Sequence, residues 1–376
     1  MNLGIYVHIP FCVSKCDYCN FYSITKLDLV NDYVLALVKE IKRESKNYKD
    51  YSIDTIFIGG GTPSILPTGA ISSIVNTIKK HYNVNSDCEI SIESNPNSIT
   101  YQNATEWFNC GINRVSVGLQ STSDRLLKKI GRAHTFSDFL VAVDNLKKVG
   151  FKNINADIML GLPTQKQGDV KNTLRHCFRS GITHLSAYTL ILEEDTPLYK
   201  KIELNQIKPV SEQKTLGMFS YVLKHTKLNG YNRYEVSNFA LNGFECKHNL
   251  NCWNMCDYVG FGCAAHSFVN STRFCNVSNV AGYIDAISKS KSVIETKEKI
   301  TNNELVEESI MLGLRTVKGL DLQKLFDKFK YDLLKNKKSQ IEKLVSLGLI
   351  EIKDNFLFAT EKGFYVLNQI IVELVD

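Results

Sequence analysis

At 376 residues, with 44% hydrophobic and 22% charged side chains, the chain can build one large core plus a smaller one and is too apolar to stay disordered. Its 45 basic against 39 acidic residues leave a net charge of +6, too thin a surplus for a dedicated nucleic-acid binder. The opening MNLGIYVHIPFC has no basic leader, and no run reaches the roughly 18–20 apolar residues of a membrane span, so a cytoplasmic protein, at most peripheral to a membrane, is expected.

Short β-branched runs at 4–9, 55–58, 89–93, 114–117, 153–159 and 184–190 read as strands. Amphipathic stretches at 28–44, 69–82, 104–110, 136–149, 170–180 and 211–227 read as the helices between them, several stopping at a glycine such as Gly111, Gly150 or Gly181. Six such units predict an α/β fold, a partial TIM-like (β/α)6 barrel over residues 1–235, with its chemistry at the C-terminal ends of the strands. Residues 236–300 read as a cysteine- and aromatic-rich connecting segment. Residues 301–376 show helical patterns at 304–314, 320–328, 337–347 and 363–374 around a hairpin turning at Lys353-Asp354-Asn355, which predicts a winged-helix-like α+β domain. No dense basic cluster accompanies it, so it is expected to pack or dock rather than bind nucleic acid.

Eleven cysteines in a chain of this size point to metal ligation, rather than disulfides, where they crowd. Cys12, Cys16 and Cys19 follow the first strand at once, on one loop. Three thiolates can hold three irons of a four-iron cluster and leave the fourth open to the amino and carboxylate groups of a methionine moiety. A structural zinc site or incidental core thiols are the alternatives, although zinc sites usually supply four ligands. After the second strand comes Gly59-Gly60-Gly61-Thr62, where glycines permit close backbone approach. Glu93, Gln120, Arg132 and Asp157 sit at or beyond later strand ends. Carboxylates suit ribose hydroxyls, and Arg and Gln suit a carboxylate or an adenine edge.

The Cys-x3-Cys-x2-Cys loop, with Tyr18 before its last cysteine, resembles the radical-SAM signature. YVHIPFC, FIGGGTPS, RVSVGLQS, IGRAH and DIMLGLP are similar to the family related to oxygen-independent coproporphyrinogen III oxidase, over residues 4 to 190. The resemblance implies a radical-SAM barrel with a 4Fe-4S cluster on Cys12, Cys16 and Cys19. It also implies S-adenosyl-L-methionine contacted by Tyr6, Tyr18, Gly60, Gly61, Thr62, Glu93, Gln120, Arg132 and Asp157.

The oxidase branch carries a further cysteine two residues after the triad, where this chain has Phe21, which argues against decarboxylation of coproporphyrinogen. Downstream, His248-Asn249-Leu250-Asn251-Cys252-Trp253 resembles the HNxxYW motif of HemW-type haem chaperones, with Cys252 in place of the tyrosine. That resemblance implies haem as cargo, His248 as its axial ligand with aromatics against the porphyrin, acceptor haem proteins, respiratory ones among them, and an electron donor for the cluster. A lone histidine is more commonly held in a core or loop by hydrogen bonds, and that reading stays open. His266, in a glycine-rich stretch, is a weaker ligand candidate, and Cys246, Cys252, Cys256, Cys263 and Cys275 match no metal template. The alternative function is a radical-SAM oxidoreductase acting on a tetrapyrrole, so whether the chain is an enzyme stays open.

Overall fold

The six predicted strands are present in a computed structural model that describes residues 1–375. They are β1 (Asn2–Ile9), β2 (Ser52–Gly60), β3 (Asn83–Ser94), β4 (Arg114–Gln120), β5 (Asn153–Leu160) and β6 (His184–Thr189), each parallel to the next. Such strands are covered on both faces, and β4 is buried along its whole length. The helix Val30–Glu44 turns one stripe inward, with Tyr33, Leu37 and Ile41 fully buried at helical spacing. Helices Tyr101–Cys110 and Phe136–Val149 each start with a capping box, Thr100 with Asn103 and Thr135 with Asp138.

The sheet does not stop at six strands. β7 (Asn232–Arg233), β8 (Asn238–Ala240), β9 (Tyr258–Phe261), β10 (His266–Val269), β11 (Thr272–Asn276) and β12 (Ile294–Lys299) extend it at both edges, in the order β12-β11-β10-β9-β1-β2-β3-β4-β5-β6-β8-β7. The segment read as a connection is thus part of the sheet, and its Phe261, Tyr283 and Ile287 sit in the barrel's own core. Glu40 ties it down, accepting from Gly262 N at 2.8 Å, Asn276 Nδ2 at 2.8 Å and Tyr283 Oη at 2.6 Å. Burial holds the Glu40 carboxyl up at about 7, above the ordinary carboxylate value, although all three donors pull it down.

The C-terminal domain has its own core, with Ile310, Leu314, Leu357, Ile370 and Leu374 buried together. A three-stranded antiparallel sheet, β13 (Leu320–Asp321), β15 (Phe356–Ala359) and β14 (Ile350–Lys353) in that order, lies against helices that include Asn302–Gly313, Leu322–Phe329, Lys338–Ser346 and Leu367–Val375. This matches the winged-helix-like expectation. Among the described residues no helix is long and apolar enough to cross a membrane.

Candidate functional site

The cysteine loop leaves β1 at its C-terminal end and is pinned at both sides. Cys12 N donates to Ile24 O at 2.9 Å, and Ile24 N returns to Pro10 O at 2.8 Å. In the middle of the loop Asp17 receives Lys201 Nζ at 2.6 Å, while its carbonyl accepts from Leu198 N at 2.8 Å. Cys12 is buried, whereas Cys16 and Cys19 are half-exposed. Burial pushes the Cys19 thiol up, and the charges of Cys16 and Cys12 add to that rise, so the three sulfurs share one electrostatic space.

Among the described residues no three His, Cys, Asp or Glu side chains converge tightly enough for a single metal ion, the loop thiols included. The surrounding donors fit an iron–sulfur cluster. Thr62 Oγ1 donates to Cys12 Sγ at 3.4 Å and Arg132 Nη1 to Cys16 Sγ at 3.6 Å. Asn95 links the two, its Nδ2 donating to Thr62 Oγ1 at 3.3 Å and its Oδ1 accepting from Arg132 Nη2 at 2.7 Å. Hydrogen bonds to cluster sulfurs tune an iron–sulfur site.

The remaining predicted residues fall into two groups. Tyr6, Glu93, Asp157 and His248 line one cavity of about 250 Å3 inside the barrel. Tyr18 lies by the loop, packed on Leu126, Ile130, Met159 and Leu162 and close enough to Arg132, Cys16, Cys19 and Asp157 to feel their charges. Burial raises the Tyr6 and Tyr18 phenols far above their ordinary range, so both stay neutral at physiological pH. Gln120 is buried with a positive φ of 62° and does not line the cavity.

The three glycines make room for this chain's own atoms. A Cβ on Gly59 would come within 2.8 Å of Glu93 Oε2, on Gly60 within 2.5 Å of the His8 ring, and on Gly61 within 2.6 Å of Phe11 O. Gly60, at a φ of 110°, turns its N–H onto Glu93 Oε2 at 3.1 Å. Burial, with help from the Asp157 charge, raises the Glu93 carboxyl to about 7. Asp157 accepts from Asn155 Nδ2 at 2.7 Å and Ser116 Oγ at 3.1 Å, and burial raises it as well. Arg132 spends most of its donors on the protein, on Asn95, Gly118 O, His134 and Cys16.

His248 is enclosed. It opens the short helix Lys247–Trp253, only 6% exposed, with Nδ1 at 2.9 Å from Thr55 Oγ1 and its ring stacked on Phe57 at 5.2 Å. Glu89 accepts from the backbone N–H groups of Lys247 and His248. Burial pushes the imidazole down to about 4, so it is neutral at pH 7. Thr55 belongs to the N-terminal half of β2 and pairs with Glu89 of β3, four and five residues before Gly59 and Gly60, so His248 closes the cavity from the end opposite the cysteine loop. His266 is exposed on β10, with Nε2 at 3.4 Å from Cys275 Sγ. Cys246 donates to Glu89 Oε1 at 3.4 Å.

Several site residues escaped sequence reasoning. Asn95 and Asp17 organise the loop, His8 holds Tyr6 Oη at 2.9 Å, and Arg114 lines the cavity as a buried cation whose Nε has no partner. Asn95 carried a weak signal in the polar Glu93-Ser94-Asn95 ending of β3. Arg114 carried a stronger one, because it is a charge at the head of an otherwise apolar central strand.

Comparison with known proteins identifies the family and the fold. The model of the Radical SAM superfamily matches residues 6–177, and that of the HemN C-terminal domain matches residues 300–366. Heme chaperone HemW of Buchnera aphidicola subsp. Schizaphis graminum is 34% identical, covering 100% of this chain and 98% of its own. Heme chaperone HemW of Bacillus subtilis is 31% identical over 97% of each chain. Among solved structures, coproporphyrinogen III oxidase (HemN) from Escherichia coli superposes with a TM-score of 0.87 at 21% identity, over 99% of this chain and 89% of that one, a likeness of fold. With radical-SAM and HemN C-terminal segments in that order and such identity end to end, the chain belongs to the HemW family of radical-SAM proteins.

Proposed function

We propose that this chain binds haem and delivers it to acceptor haem proteins, respiratory ones among them, carrying a 4Fe-4S cluster and S-adenosyl-L-methionine at the mouth of its barrel. The observation that supports this most is the similarity to proteins named heme chaperone HemW, which runs through barrel and C-terminal domain alike. Cys12, Cys16 and Cys19 are the ligands of the cluster, and Thr62 and Arg132 disperse the charge on two of their sulfurs. Bound there, a 4Fe-4S cluster would supply one-electron chemistry to S-adenosylmethionine, with reducing equivalents from an electron donor. Of the residues expected at S-adenosylmethionine, Tyr6, Glu93 and Asp157 line the cavity and would contact it, Tyr18, Thr62 and Arg132 flank it beside the cysteine loop, Gly60 and Gly61 shape the turn between, and Gln120 stands outside the cavity. Phe21 is 67% exposed where the oxidase branch has a cysteine, which favours delivery over decarboxylation.

The motif offers His248 as an axial ligand, but its ring is held inside the barrel on Thr55 Oγ1. Enclosed as it is, it reaches an iron only when its helix swings away from Thr55 and Glu89. The test is a titration of purified protein with ferric haem followed in the visible spectrum. A shifted Soret band in the wild type is expected, and a wild type that leaves the haem spectrum unchanged overturns the function.

A further inference from the structure

The helix Lys247–Trp253 separates two cavities. His248 and Asn249 face the barrel interior. Leu250, Trp253 and the following Met255 face a second, larger space of about 560 Å3 between the barrel and the C-terminal domain. The barrel cavity, at about 250 Å3, falls below the roughly 300–1,000 Å3 of small-molecule sites, and the interdomain one falls within that range.

The larger cavity has an amphipathic wall. Leu325, Phe329 and Phe356 of the C-terminal domain line it together with Leu250, Trp253 and Met255. Trp253 Nε1 is buried without a hydrogen-bond partner, a donor that a polar group entering the cavity would satisfy. Lys318, Lys324 and Lys328 stand exposed at the same wall. The carboxylates there are engaged elsewhere, Asp321 on the backbone of Lys324 at 2.9 Å and Glu245 on that of Gly243 at 3.0 Å. Arg233 turns onto the Phe364 ring and the carbonyls of Glu235 and Val236. A planar apolar body with acidic groups on one edge matches this arrangement, and haem is such a molecule.

We propose that the haem lies in this interdomain cavity, its macrocycle between Trp253 and Phe329 and its propionates on Lys318, Lys324 and Lys328. The inference rests on the haem-delivery reading and places its cargo on the face of the motif helix opposite His248. The C-terminal domain thereby becomes half of the binding site, and the lysines on its outer lip are the first groups that an acceptor would displace.

Ferric haem is titrated into the full-length wild type, the Lys318→Glu/Lys324→Glu/Lys328→Glu variant and His248→Ala, with Soret absorbance as the readout. Because all three lysines are exposed, charge reversal leaves the core intact, which thermal melting by circular dichroism verifies. The triple variant is expected to bind at least about ten-fold more weakly, since paired charges become repulsive. Ferric haem dimethyl ester, lacking the carboxylates, is expected to bind both proteins alike. Equal affinity of wild type and triple variant for ferric haem overturns the cavity assignment while haem delivery stands, and so does loss of the Soret shift in His248→Ala with full binding in the triple variant. A wild type that binds no haem overturns both.

Discussion

Arg132→Met tests how the cysteine loop is held. The guanidinium makes two bonds of 2.7 Å, to Asn95 Oδ1 and Gly118 O, and reaches Cys16 Sγ and His134 Nδ1. Methionine keeps much of the volume and removes every donor. The two carbonyl-type acceptors then lose their partner in a half-buried setting, at about 1–3 kcal/mol each, less whatever water recovers. A net loss of about 2 kcal/mol in the cluster-free protein is expected, read as a lower urea midpoint. A second effect is electrostatic. Removing a cation beside Cys16 favours the more oxidised, less negative cluster, so the reduction potential of the reconstituted protein falls. Arg132→Lys, which keeps the charge without the planar fork, is expected to restore more of the potential than of the stability. Equal urea midpoints together with an unchanged potential in Arg132→Met would refute this account.

Replacing Cys12, Cys16 or Cys19 singly by serine is expected to abolish bound iron and its visible absorption after anaerobic reconstitution, whereas Cys275→Ser keeps both; iron analysis decides. Gly60→Ala places a Cβ 2.5 Å from the His8 ring at a φ of 110° and should lower stability by roughly 2–4 kcal/mol in denaturant titration. Glu40 has a folded-state value near 7, raised above the ordinary 4.5, so the folded state holds its proton more tightly than the unfolded one. Its contribution is complete below about pH 4.5 and is lost as pH rises towards 7, by ~3 kcal/mol at most. Urea midpoints measured across that interval should show a flatter dependence in Glu40→Gln than in the wild type. Anaerobic incubation of the reduced, reconstituted protein with S-adenosylmethionine and coproporphyrinogen III is expected to yield no protoporphyrinogen IX by chromatography.

The barrel was legible because its strands are short, largely buried runs, β-branched above all in β2 and β4, and its helices keep one apolar stripe, so period and burial agree. The sheet extension was not. β8, β9 and β10 have three or four residues each, and β12, IETKEK, is exposed along its whole length, which leaves no alternation to read. What makes strands of them is pairing with distant partners, β9 with β1 and β8 with β6. At the site, cysteines and glycines announce themselves by type and spacing, whereas Asn95 and Asp17 act through contacts with residues far along the chain. The glycines were legible as places of close approach, but not what approaches them: Glu93, His8 and Phe11 rather than a ligand.

The helix that carries His248 on one side and Trp253 on the other is a partition wall. Above it, Gly60 and Thr55 are separated by about 16 Å of strand at 3.3 Å per residue, with the cysteine loop beyond. On the proposed placement, a ligand at the mouth and a haem in the interdomain cavity lie on opposite sides of this helix. Thr55 and Glu89, which grips the backbone N–H groups of Lys247 and His248, are contacts that join the barrel strands to that helix. The proposed haem site would then be joined to the cofactor end through the hold that β2 and β3 keep on one short helix.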